Sequence, residues 1–149
     1  MRAAALLAVA ALAGAGPAAA APVRMPGPSY EVLRSGPPGG AHPGRGDVAT
    51  IRYVGRLARG GEVFSTSADG GAGVSEFPVR QTIPGFQALI QRMRPGDRWR
   101  LTLPGYLAYG AQGRTHVPAD ATLKRDVPPD ATLVFDVELV SFKPAPPPR

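Results

Sequence analysis

The sequence predicts an α+β domain, with several antiparallel strands and one short helix covering the apolar face of their sheet. Period-two alternation recurs in VATIRYVGRL, DRWRLTLP and TLVFDVELVSF, whereas helical spacing is persuasive in one place only, between Pro84 and Met93. Elsewhere, 19 Gly and 18 Pro among 149 residues break the chain into turns and loops, so a single modest core is expected.

The elements follow in order. The opening MRAAALLAVAALAGAGPAAAAPVRM carries basic Arg2, an apolar run from Ala3 to Ala15 and small residues from Ala18 to Ala21, the layout of a signal peptide. The run falls short of the ~20 residues that a spanning helix needs. Residues 1–21 are therefore expected to be a leader, leaving a periplasmic or secreted chain with no stable membrane anchor. Cleavage after Ala20 is favoured over cleavage after Ala21, where the ring of Pro22 would restrict the bond being cut. Residues 22–47 are a Pro/Gly-rich segment in which Tyr30 and Val32 mark a short edge strand.

From Val48, Ile51, Tyr53 and Leu57 share one strand face while Thr50, Arg52 and Arg56 share the other. Gly60-Gly61 turns the chain into a second strand through Val63 and Phe64. In the helix, Pro84 suits the first turn, Phe86, Leu89, Ile90 and Met93 form the apolar stripe, and Arg94-Pro95-Gly96 ends it. Trp99, Leu101 and Leu103 then align on one face of a strand. Leu133, Phe135, Val137 and Leu139 do so on the last strand, opposite Asp136 and Glu138. The domain is expected over residues 48–142, and KPAPPPR, residues 143–149, reads as a polyproline-like tail.

Composition excludes several chemistries. The chain has no cysteine, so disulfides, a thiolate nucleophile and cysteine lipidation are ruled out. The 17 basic and 11 acidic residues give a net charge of +6, or +5 once Arg2 leaves with the leader. The arginines are scattered, which reads as a solvated surface and not as a nucleic-acid patch. His42 and His116 sit in Pro/Gly-rich loops far in sequence from paired carboxylates and read as ordinary loop residues. Neither metal-ligand spacing nor a phosphate-cradling loop appears, so no metal or cofactor is expected. What the chain does have is large apolar side chains close to turns: Tyr53, Phe64, Phe77, Ile83, Phe86, Tyr109 and Phe135. From composition alone these are core residues.

The wording of the motifs adds to that reading. IRYVGRL, GGEVFSTS, TIPGF before a short helix, AYG, VPP and ATLVFDVEL, in this order from about Tyr30 to Phe142, resemble the FKBP-type peptidyl-prolyl cis/trans isomerases. The resemblance implies a twisted antiparallel sheet wrapped around one short helix, with an extended flap loop before the last strand and an apolar pocket that receives a proline side chain. It implies that Tyr53, Phe64, Ile83, Phe86, Tyr109, Val127 and Phe135 build the pocket. The Ile83 N–H and the Tyr109 hydroxyl would hold ligand carbonyls, and Phe86 would take the place of the usual tryptophan floor. Ser65 stands where the family usually carries Asp. The implied function is isomerisation of Xaa-Pro bonds during folding of exported proteins, with proline-containing segments as partners and weak binding of macrolides. Ser65 keeps a second reading open, a non-catalytic proline-peptide-binding chaperone or scaffold, and a surface role unrelated to the pocket is a third.

One feature is peculiar to this chain. Val117 to Asp126 and Val127 to Asp136 match at seven of ten positions. Copy two carries Val134 and Phe135 where copy one carries Lys124 and Arg125, and an unpaired buried arginine is costly, so copy two is expected to form the strand. Copy one then lengthens the flap, Gly110 to Asp126, to 17 residues, beyond the ~12–15 usual for an unstructured loop. Either it is a tolerated insertion kept out of the sheet, at ~0.6 kcal/mol per doubling of loop length, or its Val117-Pro118 contacts bound peptides.

Overall fold

The structure is a computed structural model that describes residues 24–70, 73–117 and 123–148. The expected leader, and residues 118–122 of the first repeat copy with the Val-Pro bond expected to contact peptides, lie outside the described residues.

Six strands, β1 (Ser29–Arg34), β2 (Asp47–Leu57), β3 (Val63–Thr66), β4 (Ser75–Pro78), β5 (Arg98–Leu103) and β6 (Leu133–Pro144), form one antiparallel sheet. Its order is β1-β5-β6-β2-β3, and β4 also pairs with β2. The long β2 is the pivot: β6 runs along one edge, while β4 takes residues 48–51 and β3 residues 54–56 of the other. β4 was not expected from the sequence, which reads SEFP as the approach to the helix.

Alternation decides which face is buried. Trp99, Leu101 and Leu103 on β5 and Leu133, Phe135, Val137 and Leu139 on β6 are all buried, as expected. β6 carries one irregularity, since Thr50 lies opposite Ser141 but Ile51 lies opposite Leu139. The extra residue shifts the alternation, so that Phe142 joins the same core as Leu139. The strand continues through Lys143 and Pro144, opposite Val48 and Asp47. On the solvent side, Arg100 Nε donates to Asp136 Oδ1 at 2.8 Å, and that hydrogen bond raises the arginine above its ordinary pKa.

Among the described residues the one α-helix, α1 (Pro84–Ile90), packs Phe86, Leu89 and Ile90 onto the sheet. Past Ile90 the chain tightens: the Met93 N–H donates to the Ile90 carbonyl at 3.1 Å, which keeps Met93 on the buried stripe. The N-terminal segment lies against this turn. Asp97, itself buried, accepts from the Gly36 N–H at 2.7 Å and the Arg94 N–H at 2.9 Å, and His42 Nδ1 stands 3.0 Å from the Met93 carbonyl oxygen.

The repeat departs from expectation in one respect. Lys124 and Arg125 are exposed, as their charge requires, and Arg125 pairs with Glu62 at 3.0 Å. Leu123 between them and the flap is nevertheless in the core, 3 % exposed. It forms an antiparallel bridge with Ser65, and the Lys124 N–H donates to the Phe64 carbonyl at 2.7 Å. The first copy is thus not wholly outside the sheet; it borrows the free edge of β3.

Candidate active site

Between β2, β3, β6 and the start of α1 lies a cavity of about 260 Å³. Phe135 is its hub: the rings of Tyr53, Phe64 and Phe86 surround it at centroid distances of 6.2, 5.5 and 5.4 Å, the last two edge-to-face. Phe77 on β4 extends the cluster, 6.0 Å from Phe86. Such tilted contacts suit the aromatic quadrupole and fix the rings against one another. Gly55 makes the arrangement possible. It lies between Ser65 and Phe135 in the sheet, and a Cβ there would stand 2.8 Å from Phe135 and 2.9 Å from Phe64.

Local sequence places the polar rim. Pro84 at the first helical turn disfavours helical backbone at the residue before it, and Ile83 is accordingly extended, with φ −61 and ψ 148. Among the described residues no group accepts from the Ile83 N–H. Tyr109 enters from the loop after β5, where Gly110 and Gly113 turn the chain at positive φ. On the opposite wall, the hydroxyls of Tyr53 and Ser65 are 2.9 Å apart. Ser65 is buried, so this hydrogen bond satisfies a polar group that water reaches poorly.

Seven of the eight expected residues line this cavity: Tyr53, Phe64, Ser65, Ile83, Phe86, Tyr109 and Phe135. The eighth, Val127, does not. It is buried beneath the flap, where it exchanges backbone hydrogen bonds with Arg114, at 2.9 Å from the Arg114 N–H and 2.7 Å from its own. Leu123 of the first repeat copy lines the cavity instead. The physical reason is that Leu123 is laid along β3 beside Ser65, while Val127 is committed to closing the base of the loop.

Gln81, Thr82, Leu123 and Arg114 also line the cavity, and none of the four was expected there. Leu123 sits among charges that mark it as surface. Arg114 lies in a loop with no periodicity, yet its guanidinium stands 5.5 Å from the centre of the Tyr109 ring and Nη1 donates to the Tyr109 hydroxyl at 3.4 Å. Among the described residues no cluster of His, Cys, Asp and Glu is arranged to hold a metal ion. His42 and His116 do not line the cavity.

Comparison with known proteins gives this geometry its context. Residues 39–140 match the family model described as FKBP-type peptidyl-prolyl cis-trans isomerase. The chain is 37 % identical over 117 residues to the peptidyl-prolyl cis-trans isomerase Mip of Coxiella burnetii, covering 78 % of this chain and 45 % of that protein. It is 38 % identical over 116 residues to FK506-binding protein 1 of Kluyveromyces lactis, covering 76 % and 93 % respectively. In structure it is similar to FkpA from Escherichia coli, with a TM-score of 0.66 at 33 % identity over 80 % of this chain and 50 % of that one. The chain therefore spans about half the length of its Mip and FkpA relatives and nearly all of the yeast one. The match runs through the strands, the helix and the loops that supply the aromatic cavity, and by that match the chain belongs to the FKBP-type peptidyl-prolyl cis-trans isomerases.

Proposed function

We propose that the cavity binds the ring of a proline and speeds rotation about the preceding peptide bond. The observation that carries this reading is the aromatic ring set around Phe135, in a cavity that Ile83 and Tyr109 also line. Amide resonance opposes rotation by ~18–20 kcal/mol, although cis and trans Xaa-Pro differ by only ~0.5–1 kcal/mol. The barrier is therefore what a catalyst must lower. A twisted amide has lost resonance and charge separation, so a site that strips water from the planar amide favours the less polar twisted form. Carbonyls held at Ile83 and Tyr109 fix the flanking backbone while the bond turns. Neither an acid, a base nor a nucleophile is required.

The clients we propose are proline-containing segments of exported proteins, with residues 1–21 as the leader that delivers the isomerase to them. Macrolides would bind the same cavity weakly. A second reading, a proline-binding module without turnover, is favoured by Ser65, which withholds the carboxylate usual in the family. A protease-coupled or NMR-exchange assay on Ala-Xaa-Pro-Phe peptides separates the two. Acceleration by the mature protein supports the enzyme; binding of the peptides with no acceleration would establish the module.

A further inference from the structure

We propose that Ser67 is a positioning residue of this cavity, holding the backbone of Tyr53 so that the tyrosine ring stands fixed in the wall. Its effect on peptides rests on the proline-binding reading above; its effect on the ring rests on geometry alone. The pairing of β2 has a gap. On one edge β4 takes residues 48–51 and β3 residues 54–56, which leaves Tyr53 between them with no strand opposite it there among the described residues. β3 ends at Thr66, and the chain then bends into a 3₁₀ turn, Ser67–Gly70.

Side chains take the place of the missing strand. Ser67 Oγ accepts from the Tyr53 N–H at 2.9 Å, and Thr66 Oγ1 donates to the Tyr53 carbonyl at 3.2 Å. The Ser67 hydroxyl in turn has the Gly73 carbonyl at 3.2 Å, so one oxygen ties Tyr53 to the chain that leads back into β4. Ser65 holds the far end of the same residue through the phenol. Three consecutive hydroxyls, 8, 7 and 3 % exposed, thus grip Tyr53 at its ring, its carbonyl and its N–H. Burying hydroxyls is costly unless they are bonded, and here each bonds to the same wall residue. A side-chain acceptor, unlike a ladder carbonyl, can be removed by one substitution. Any backbone shift that follows is enlarged at the end of the side chain, where the ring centre of Phe135 stands 6.2 Å from that of Tyr53.

The test compares the mature chain with Ser67→Ala, and each of these with its counterpart carrying Tyr53→Ala. In the peptide-free protein, NMR contacts between the Tyr53 and Phe135 rings are expected to weaken in Ser67→Ala and to return in Ser67→Thr, which restores the oxygen. Turnover and affinity for a proline peptide should both fall about five- to tenfold, the scale of a wall group displaced by a fraction of an ångström. In the Tyr53→Ala background Ser67→Ala should change neither. It should lower the denaturation midpoint in both backgrounds, because the hydrogen bond is to the backbone and survives loss of the ring. Ser67→Cys, which keeps the volume and weakens the acceptor, should move the same readouts less far, and it serves where Ser67→Ala does not fold. Ring contacts unchanged in a folded variant, or a loss of affinity as large without the Tyr53 ring as with it, overturns the proposal. A parent chain that neither binds nor turns over proline peptides overturns the proline-binding reading instead, and the ring contacts still decide the role of Ser67.

Discussion

The hydroxyl oxygens of Tyr53 and Ser65 stand 2.9 Å apart on neighbouring strands, a neutral pair in the wall of the aromatic cavity. Replacing the serine oxygen with a carboxylate would turn this contact into a charge-assisted bond, roughly twice as strong. Ser65→Asp is therefore expected to raise kcat/KM about threefold by holding Tyr53 more firmly in the wall. A coupled isomerase assay reads this directly, and an unchanged or lower rate would contradict the role given to position 65.

Phe135 meets three other rings, and no smaller side chain keeps all three contacts. Phe135→Leu is expected to cost about 1–2 kcal/mol of stability and to reduce turnover about tenfold. Denaturant titration and the same assay would report the two effects separately.

Gly55 is needed for its missing side chain, since its backbone is ordinary strand. With a Cβ 2.8 Å from Phe135 and 2.9 Å from Phe64, Gly55→Ala must displace both rings. A loss of about 1–3 kcal/mol is expected, as for other overpacked cores. A denaturation midpoint equal to that of the parent chain would show that the rings yield freely.

Leu123 and Leu133 occupy equivalent positions of the repeat and are 3 % and 0 % exposed. Leu133→Ala should behave as a central core deletion and lose about 3–5 kcal/mol. Leu123→Ala should lose less stability, about 2 kcal/mol, because one bridge holds its backbone and one side of it borders the cavity. It should weaken peptide binding more than its small stability loss would predict. Peptide titration that shows no change in the Leu123 variant would remove it from the site.

Asp97 ties the N-terminal segment to the turn after α1 through the Gly36 and Arg94 N–H groups. Asp97→Ala leaves those donors without that acceptor and is expected to cost about 2–3 kcal/mol. Trypsin should then cut faster after Arg34 and Arg45, which a time course would show.

The sheet was legible in the sequence wherever its two faces face different media. β5 and β6 bury one face and wet the other, so Trp99, Leu101 and Leu103 declare themselves by alternation alone. β4 was not legible, because four residues ending in Pro78 carry no period and owe their conformation to pairing with β2. The hold on Gly36 was equally hidden, since it joins a backbone N–H to a carboxylate 61 positions away. At the site, every aromatic residue that the motif resemblance names lines the cavity. Val127 does not line it, and Leu123 of the first repeat copy does. Charge keeps Lys124 and Arg125 outside, yet Leu123 beside them finds shelter against β3, a tertiary opportunity that flanking charges neither create nor forbid.

Leu123 and Leu133 hold the same place in the two copies of the repeat, yet one lines a cavity while the other anchors a strand. The second copy sets the register of β6, while the first holds the open edge of β3 through Leu123 and the Lys124 N–H. Side-chain changes at the exposed Lys124 and Arg125 leave every register pair of β6 untouched. For an engineer who wants to change what this cavity accepts, Leu123 is the position to vary, since it lines the cavity and lies outside β6.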